Sequence, residues 1–278
     1  MSAPFVTRFA PSPTGFLHRG HAFSALTAHQ AARDAGGRFL LRIEDIDRTR
    51  CRPEYEAAIF EDLSWLGLEW EAPVRRQSDH MDDYARALRG LQDRGLLYRC
   101  FRTRREIAEE IERAPHGAME VLRGAPLPAN QEARRLAAGE AYAWRLSLDA
   151  AQRALGGFAA LTFVEDGQGV VQAQPELGGD VVLARKDVGV AYHLAVVVDD
   201  ALQGVSHVIR GEDLAEATHV QRLLQALLGL PTPVYRHHRL LTGPEGRRFA
   251  KRDHAETLRT LRARGMTAAS IRAEMGFG

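Results

Sequence analysis

Two histidines, separated by an arginine and a glycine, lie where an apolar strand is expected to meet a helix. His18, Gly20 and His21 end the run PSPTGFLHRGH, residues 11–21, which follows the apolar segment Phe5–Ala10. The N-terminus of a helix offers unpaired N–H groups and the positive end of its dipole, so a nucleotide triphosphate could bind there. The alternative is a helix start with two imidazoles that face solvent.

One lysine near the C-terminal end is conspicuous because of its type. Of the 37 basic residues in the chain, only Lys186 and Lys251 are lysines. A lysine ammonium is a compact point charge, whereas arginine presents a planar fork. Lys251 therefore suggests a need for such a point charge, and an exposed lysine without a role is the alternative.

Three carboxylates, Glu44, Asp45 and Asp47, follow the second predicted strand. Closely spaced carboxylates could form a general acid–base pair or a metal site. Successive residues of an extended strand point to opposite faces, however, so only some of these side chains can enter one pocket. We expect Asp45 and Asp47 to belong to a polar turn and Glu44 to act apart from them.

The elements that would position these residues alternate between strands and helices. Apolar runs predict strands at Phe5–Ala10 and Phe39–Ile43, with a helix over about His21–Ala35 as the crossover between them. Helical spacing and a short apolar run predict the following elements. They are helices at Glu54–Trp65 and about Gln77–Gly95, then a strand at Leu96–Tyr98. This order is typical of a parallel sheet and of one half of a nucleotide-binding fold.

The middle of the chain has a different composition. From about Arg99 to Leu183 the sequence is rich in arginine and alanine and reads as helices with loops, which indicates an inserted module. Apolar runs then predict strands at Val181–Ala184, Ala191–Val198 and Val205–Ile209, the last two joined through the acidic pair 199–200. We therefore predict an α/β fold whose parallel sheet is split by an insertion.

Length and composition limit the class of protein. The chain has 278 residues, of which 45% are hydrophobic, enough for a sizeable core in one large domain or two smaller ones. No apolar run has the length of a membrane span, and the N-terminus lacks a signal-peptide layout, so we expect a soluble cytoplasmic protein and, by default, a monomer. The two cysteines, Cys51 and Cys100, fit a reducing compartment. The net charge of +1 does not by itself support a polyanionic partner.

Several of these segments resemble signatures of the class I aminoacyl-tRNA synthetases, in the glutamyl and glutaminyl branch. The run 18–21, HRGH, resembles the HIGH motif, and 248–252, RFAKR, resembles a degenerate form of the lysine-bearing KMSKS loop. Four more blocks follow the order of the family: GGRFLLRIEDIDRTR (36–50), LSWLGLEW (63–70), AYHLAVVVDD (191–200) and HVIRGEDL (207–214). The resemblance implies a Rossmann-like catalytic fold that is split by an inserted α/β module.

The same resemblance implies substrates and site residues. ATP with Mg²⁺ would bind at His18, Gly20, His21 and Lys251, and the two histidines and the lysine would be the catalytic residues. Attack of an ionised carboxylate on the α-phosphorus needs positioning and positive charge rather than a general base. The residues that match the L-glutamate pocket of the family are Arg8, Phe9, Ala10, Pro11, Ser12, Glu44, Tyr192 and Arg210.

Charged side chains would decide the specificity of that pocket. Arg8 or Arg210 could hold the γ-carboxylate bidentately and reject glutamine, because the amide NH₂ would face a donor. The resemblance implies that Glu44 contacts the amino group of the substrate. For Arg210, an ion pair with Glu212 or Asp213 is the alternative.

About 26 residues follow Arg252, and we therefore expect no anticodon-binding domain. The resemblance is then to truncated members of the family, which activate glutamate without tRNA and esterify it to queuosine in the anticodon arm of tRNA(Asp). Arg259, Arg262 and Arg264 would be among the tRNA contacts. The expected domains are residues 1–98 and 184–240 as the two halves of the catalytic domain, 99–183 as the inserted module, and 241–278 as the KMSKS-like loop with a short helical segment.

The residues expected for a structural zinc site are incomplete. Many members of the family begin that site with Cys-x-Cys, whereas this chain reads Cys100-Phe101-Arg102 and has no later cysteine. Tetrahedral zinc needs four ligands, and Cys100 with His116 would supply at most two. We expect no metal site, and we expect Cys100 to be a small buried apolar residue.

Two other functions remain open at this point. One is a glutamate-activating enzyme with a different acceptor, such as a small amine or a protein, and the other is a non-catalytic tRNA-binding paralogue. The presence of His18, His21 and Lys251 argues against the second. The acceptor depends on the shape of the surface rather than on a local motif, so the sequence does not decide the first.

Overall fold

The computed structural model describes residues 4–113, 121–185, 189–241 and 256–277. The strands in chain order are β1 (Val6–Phe9), β2 (Arg38–Ile43), β3 (Glu71–Arg76), β4 (Leu97–Cys100), β5 (Ala143–Leu146), β6 (Thr162–Glu165), β7 (Gly169–Gln172), β8 (Val182–Arg185), β9 (His207–Gly211) and β10 (Val234–His238). The helices are α1 (Arg19–Asp34), α2 (Pro53–Trp65), α3 (Met81–Asp93), α4 (Arg104–Arg113), α5 (Ala129–Ala137), α6 (Leu148–Leu155), α7 (Tyr192–Leu202), α8 (Ala215–Leu228), α9 (Leu258–Ala263) and α10 (Ala268–Glu274). Within these ranges, none of the helices has the length and apolar composition that crossing a membrane requires.

Parallel strands form the centre of the molecule, as predicted. Strand β2 lies between β1 and β3, and β10 lies between β9 and β6. The two groups of strands meet where β9 runs beside β1: the Ser206 N–H donates to the Val6 carbonyl (2.9 Å), and the Val6 N–H donates to Ser206 Oγ (2.8 Å). The sequence reasoning identified β1, β2 and β9 but missed β3 and β10.

Helix α1 connects β1 to β2 and covers one face of this sheet. Its buried side is built largely from alanines, among them Ala22, Ala25 and Ala28, together with the larger Leu26. Small residues let the helix backbone approach the strands closely, while the leucine fills the space between them. The C-terminal helices α9 and α10 add Leu258 and other apolar side chains to the same core.

The segment that we predicted as the strand Ala191–Val198 is a helix, α7. Its apolar residues 194–198 are all buried, and α7 packs against α3 and α8. A helix that is buried on every side shows no 3.6-residue periodicity, so its sequence looks like that of a buried strand. The prediction was therefore wrong, and Asp199 and Asp200, expected between two strands, lie buried near the end of α7.

The inserted module contains more strands than its composition indicated. Strands β4, β5 and β8 form an antiparallel sheet, and β6 and β7 form a hairpin. Strand β6 also pairs with β10, with Tyr235 opposite Glu165, so the module extends the central sheet. This pairing brings Glu165 close to the residues of β9 and β10.

Candidate active site

A cavity of about 700 Å³ opens where β1 and β9 end and α1 begins. In open α/β sheets ligands bind at the carboxyl ends of the strands, which is where this cavity lies. It is lined by every described residue of the expected ATP and glutamate sites: Arg8, Phe9, Ala10, Pro11, Ser12, His18, Gly20, His21, Glu44, Tyr192 and Arg210. The expected catalytic Lys251 lies outside the described residues.

The histidine motif forms the N-terminal cap of α1. His18 is the N-cap residue, and its Nδ1 accepts the Gly20 N–H (3.1 Å). In return, the His18 N–H donates to Nδ1 of His21 (3.2 Å), and the two ring centroids are 3.8 Å apart. A Cβ on Gly20 would lie 3.0 Å from the His18 ring, so a glycine at this position lets the ring fold over the helix start.

This cap determines which ring nitrogens can donate. A neutral imidazole has one nitrogen that accepts and one that carries the proton. Since Nδ1 is the acceptor in both His18 and His21, Nε2 carries the proton in both. The start of α1 therefore combines backbone N–H groups with two imidazole donors, which is an arrangement suited to phosphate oxygens.

Arg210 is a buried cation whose partners are neutral. Its side chain is 4% exposed. Its Nε donates to Nε2 of His237 (3.2 Å), Nη2 to the Thr218 hydroxyl (2.7 Å) and Nη1 to the Tyr192 hydroxyl (3.5 Å). No carboxylate of the described residues forms an ion pair with it, so the alternative of a pair with Glu212 or Asp213 is not found. A buried charge needs a counter-charge, and an anionic ligand in the cavity would supply it.

Arg8 is held by an ion pair that the sequence reasoning missed. Its Nε donates to Oδ1 of Asp200 (3.0 Å), and Arg42 Nη1 donates to the same oxygen (2.7 Å). Arg42 Nη2 in turn donates to Oε1 of Glu44 (3.1 Å). Burial acts to raise the pKa of Asp200, but Arg8 and Arg42 outweigh it and lower that pKa below its usual value. Asp200 therefore stays ionised. It connects Arg8, through Arg42, to Glu44, and both Arg8 and Glu44 are expected glutamate contacts.

The three carboxylates after β2 separate as expected. Burial raises the pKa of Glu44, and the charges of Arg42 and Arg8 oppose that effect. Asp45 instead accepts from the Ser78 N–H (2.8 Å) and hydroxyl, and Asp47 accepts from the Thr49 hydroxyl (2.6 Å). Of the three, only Glu44 lines the cavity of about 700 Å³.

A second cavity of about 860 Å³ adjoins the first on the side of the inserted module. The two cavities share Ser12, Thr14, Glu44, Arg50 and Tyr192. The far wall of the second cavity includes aromatic and cationic residues of the inserted module, among them Phe101, Arg102, Tyr142, Arg145 and Arg185. Arginines beside aromatic rings suit a ligand that carries both phosphates and bases.

The residues that the sequence reasoning missed act on the expected ones. Asp200 pairs with Arg8, and His237 and Thr218 hold Arg210. One signal was available for Asp200: an acidic pair ends a wholly apolar run, and a buried carboxylate needs a cationic partner. His237 and Thr218 carried no such signal, because only the fold brings them to Arg210.

The metal prediction concerns the region around Cys100. Cys100 is 4% exposed and packs with Tyr98, Ile107 and Leu122, in agreement with its expected role as a small apolar residue. Over the ranges that the structure describes, no three His, Cys, Asp or Glu side chains come together as a metal site would require. His116 lies outside those ranges, and the absence of zinc stays a prediction.

Comparisons with known proteins agree on one family. A model of the catalytic domain of class I tRNA synthetases (E and Q) matches residues 4–273. The chain is 49% identical to a glutamyl-Q tRNA(Asp) synthetase of Rhodobacter capsulatus, covering 98% of this chain and 100% of the relative. It is 41% identical to a protein of the same name from Symbiobacterium thermophilum, covering 97% of this chain and 85% of the relative.

A solved structure shows the same fold. A glutamate tRNA ligase of Elizabethkingia meningosepticum, solved in complex with its amino acid, superposes with a TM-score of 0.74 at 29% sequence identity. The match covers 90% of this chain and 52% of that structure, so the chain spans about half the length of the ligase.

Proposed function

The chain belongs to the class I tRNA synthetase family (E and Q), as a ligase with the fold of its catalytic domain, and from this premise we propose that it activates L-glutamate with ATP, without tRNA, and transfers the glutamate to queuosine in the anticodon arm of tRNA(Asp). The observation that carries the proposal is Arg210, a buried cation without a carboxylate partner among the described residues, in a cavity that also holds Arg8, Glu44 and two imidazole donors. The names of the two relatives support the acceptor. The proposed enzyme acts as a monomer.

Glutamate recognition follows from the buried charges. Arg210 uses three of its five N–H groups on neutral acceptors, and the remaining two are available for a carboxylate. Arg8 supplies a second guanidinium for the other carboxylate, and Glu44 accepts the ammonium group. Glutamine would place an NH₂ group against one of these guanidinium groups, so the pocket selects the acid over the amide.

Adenylate formation requires charge stabilisation at the other end of the cavity. An oxygen of the substrate carboxylate attacks the α-phosphorus, the bond from that phosphorus to the bridging oxygen breaks, and pyrophosphate leaves. The Nε2–H groups of His18 and His21 and the N-terminus of α1 stabilise the charge that develops on the phosphate oxygens. ATP would bring Mg²⁺, which neutralises phosphate charge.

Lys251 would neutralise the departing pyrophosphate. The lysine-bearing motif supports this role, and so do the described residues on either side of it in the sequence. Leu241 lines the cavity, and Thr257 forms a bridge with His18. We expect Lys251→Ala to depress pyrophosphate exchange while leaving the thermal unfolding midpoint unchanged.

The second cavity is proposed to receive the acceptor nucleoside. It meets the glutamate cavity at Glu44 and Tyr192, so an acceptor hydroxyl entering from the inserted module would reach the activated carbonyl. The hydroxyl oxygen forms the ester bond, AMP leaves, and the hydroxyl proton passes to solvent or to the phosphate of AMP. Arginines of the inserted module would bind the phosphates of the tRNA.

Two measurements on one preparation test the proposal. ATP–pyrophosphate exchange is followed with L-glutamate or L-glutamine in the absence of tRNA, and transfer of radiolabelled glutamate is followed with tRNA(Asp) that carries or lacks queuosine. We expect exchange with glutamate alone and label only on the queuosine-containing tRNA. Exchange without transfer would indicate a different acceptor, and the absence of both would indicate a non-catalytic paralogue.

A further inference from the structure

Arg210 is connected to the inserted module through one histidine. Nε2 of His237, on β10, accepts the Arg210 Nε–H at 3.2 Å, and Nδ1 of His237 lies 2.8 Å from Oε2 of Glu165, on β6. The other Glu165 oxygen accepts the backbone N–H of His237 (2.8 Å). Glu165 is 6% exposed, so this arrangement is shielded from water.

The hydrogen bonds allow only one tautomer of His237. A carboxylate only accepts, so Nδ1 must carry the proton that it donates to Glu165. Nε2 is then left with a lone pair, which the Arg210 Nε–H requires. The opposite tautomer or the imidazolium would place an N–H against the N–H of Arg210.

We propose that His237 is a positioning residue for substrate recognition: Glu165 fixes it as the Nδ1–H tautomer, and its Nε2 holds Arg210 with two N–H groups directed at the substrate carboxylate. This inference rests on the proposed binding of glutamate by Arg210. It assigns to the inserted module, through Glu165, a part in binding the amino acid in addition to the acceptor.

The groups around His237 favour the neutral ring. Burial lowers the pKa of His237, as do Arg210 on β9 and His238 on its own strand, whereas Glu165 on β6 raises it, and the net shift is downward. Among the described residues of helix α8, Thr218 contacts the ring with its uncharged hydroxyl, 3.2 Å from Nε2. Protonation on the acid side of the ordinary histidine pKa of about 6.5 would remove the acceptor. Because the net shift is downward, the KM for glutamate should rise only as the pH is lowered below that ordinary value.

Two substitutions of His237 separate its two hydrogen bonds. Glutamine can place an amide oxygen near the position of Nε2, which keeps an acceptor for Arg210 and does not titrate. Asparagine reaches only the position of Nδ1, so it can contact Glu165 but leaves Arg210 without its acceptor. In pyrophosphate exchange we expect His237→Asn to raise the KM for glutamate about tenfold or more with a smaller change in kcat, and His237→Gln to stay within about threefold of wild type.

Glu165→Gln tests the tautomer while leaving the volume unchanged. The backbone N–H of His237 requires the amide oxygen, so the amide NH₂ must face Nδ1 and turn it into an acceptor. His237 then carries its proton on Nε2, against Arg210, and the KM for glutamate should rise about tenfold. In a His237→Gln background the same change should have no further effect, because no imidazole is present.

His219→Asn is the matched control, since His219 also accepts a hydrogen bond, from the Gln174 N–H (3.1 Å), but lies outside the two cavities. Its KM for glutamate should equal that of wild type, and the KM for ATP should change in none of these variants.

Equal effects of His237→Asn and His237→Gln on the KM for glutamate, or an unchanged KM for glutamate in Glu165→Gln, would overturn the inference. If His237→Asn does not fold, the comparison of Glu165→Gln in the wild-type background with Glu165→Gln in the His237→Gln background tests the inference instead. A wild-type enzyme that shows no exchange with glutamate overturns the proposed function and this inference together, whereas normal wild-type exchange with unaltered variants overturns only this inference.

Discussion

At the scale of single residues, the proposed glutamate pocket contains a buried positive charge that the described carboxylates do not pair. Arg8, Arg42 and Arg210 are each no more than 5% exposed. The carboxylates Glu44, Asp199 and Asp200 face Arg8 and Arg42, and none of them pairs with Arg210. Arg210 is therefore a buried positive charge without a carboxylate partner among the described residues. L-Glutamate at neutral pH has two carboxylates and one ammonium, a net charge of −1, and would balance the pocket.

Replacing Asp200 should affect both stability and glutamate binding. In Asp200→Asn the guanidinium groups of Arg8 and Arg42 would lose their shared counter-ion inside the protein, and breaking a buried ion pair costs about 3–5 kcal/mol. We expect a loss of about 3 kcal/mol in the free energy of unfolding, measured with urea, and a KM for glutamate raised about tenfold in exchange. Asp149→Asn removes an exposed carboxylate whose partner Arg123 is 3.4 Å away, and it should shift neither value appreciably. Unchanged stability in Asp200→Asn would mean that Arg8 and Arg42 do not depend on this carboxylate.

At the scale of elements, the sequence identified those whose patterns are local. Strand β1, the histidine motif and α1 follow one another within about thirty residues, and they were predicted within a few residues of their observed bounds. Helix α7 was misread because burial on all sides removes the periodicity of a helix. The contacts within the pocket could not be predicted from local sequence patterns either, since Arg8 and Asp200 are 192 residues apart in the chain. The family resemblance supplied the residues expected to touch the substrate, but the residues that position them follow only from the fold.

One buried carboxylate lies where the C-terminal helix α9 meets α2. Asp62, on α2, is fully buried, and neither of its oxygens has a hydrogen-bond partner among the described residues. The nearest cation is Arg262 of α9, at 3.9 Å. Burial, only partly opposed by Arg262, raises the pKa of Asp62 from 3.8 to about 6. The folded protein therefore holds this proton more tightly than the unfolded chain does.

Removing that carboxylate should stabilise the protein at neutral pH. Because the pKa is raised on folding, Asp62 lowers the free energy of unfolding progressively as the pH rises from about 4 to about 6, and by a constant amount above that. Asp62→Asn should therefore gain up to about 3 kcal/mol at pH 7.5 over wild type, the equivalent of about two pKa units, and show little difference near pH 4. Urea unfolding of the variant and of wild type at pH 7.5 and near pH 4 measures the difference in the free energy of unfolding at each pH. An equal difference at both would show that packing, not ionisation, distinguishes the variant.

One buried carboxylate, that of Asp180, connects separate segments of the inserted module. Asp180 is 3% exposed and accepts hydrogen bonds from the Tyr98 hydroxyl (2.9 Å), the Gly124 N–H (2.7 Å) and the Leu148 N–H (2.9 Å). These donors lie far apart in the sequence, so one side chain joins three segments of the module. A network of this kind can hold a small module together without a metal ion.

We predict that the module does not depend on zinc. Protein purified without added metal should contain well under one zinc ion per chain by elemental analysis, and a chelator should leave its thermal unfolding midpoint unchanged. Asp180→Ala should instead cost about 3 kcal/mol or more, because it leaves three donors, two of them on buried residues, without acceptors. A stoichiometric zinc ion, or a chelator that lowers the midpoint, would contradict the prediction.

At the scale of the whole molecule, the two cavities would give the two proposed half-reactions adjoining places. The cavity of about 700 Å³ lies at the strand ends of the catalytic fold, and the one of about 860 Å³ lies between that fold and the inserted module. They share Glu44 and Tyr192, so the point of contact is the expected position of the activated glutamate. Changes on the far wall of the second cavity should therefore affect transfer far more than activation.

Tyr142 offers the sharpest test of that division. It is half-buried in the second cavity, with its ring centroid 5.6 Å from that of Phe101 and 5.7 Å from that of Trp144, and the Arg99 guanidinium lies 5.4 Å from it. Stacking of a base on an aromatic side chain contributes about 1–3 kcal/mol. Tyr142→Ala should accordingly lower kcat/KM for transfer to queuosine-containing tRNA(Asp) about tenfold, a loss far larger than any change in pyrophosphate exchange. Tyr142→Phe keeps the aromatic face and should retain transfer. If exchange falls as much as transfer does in Tyr142→Ala, the second cavity serves activation as well, and the assignment of separate places is wrong.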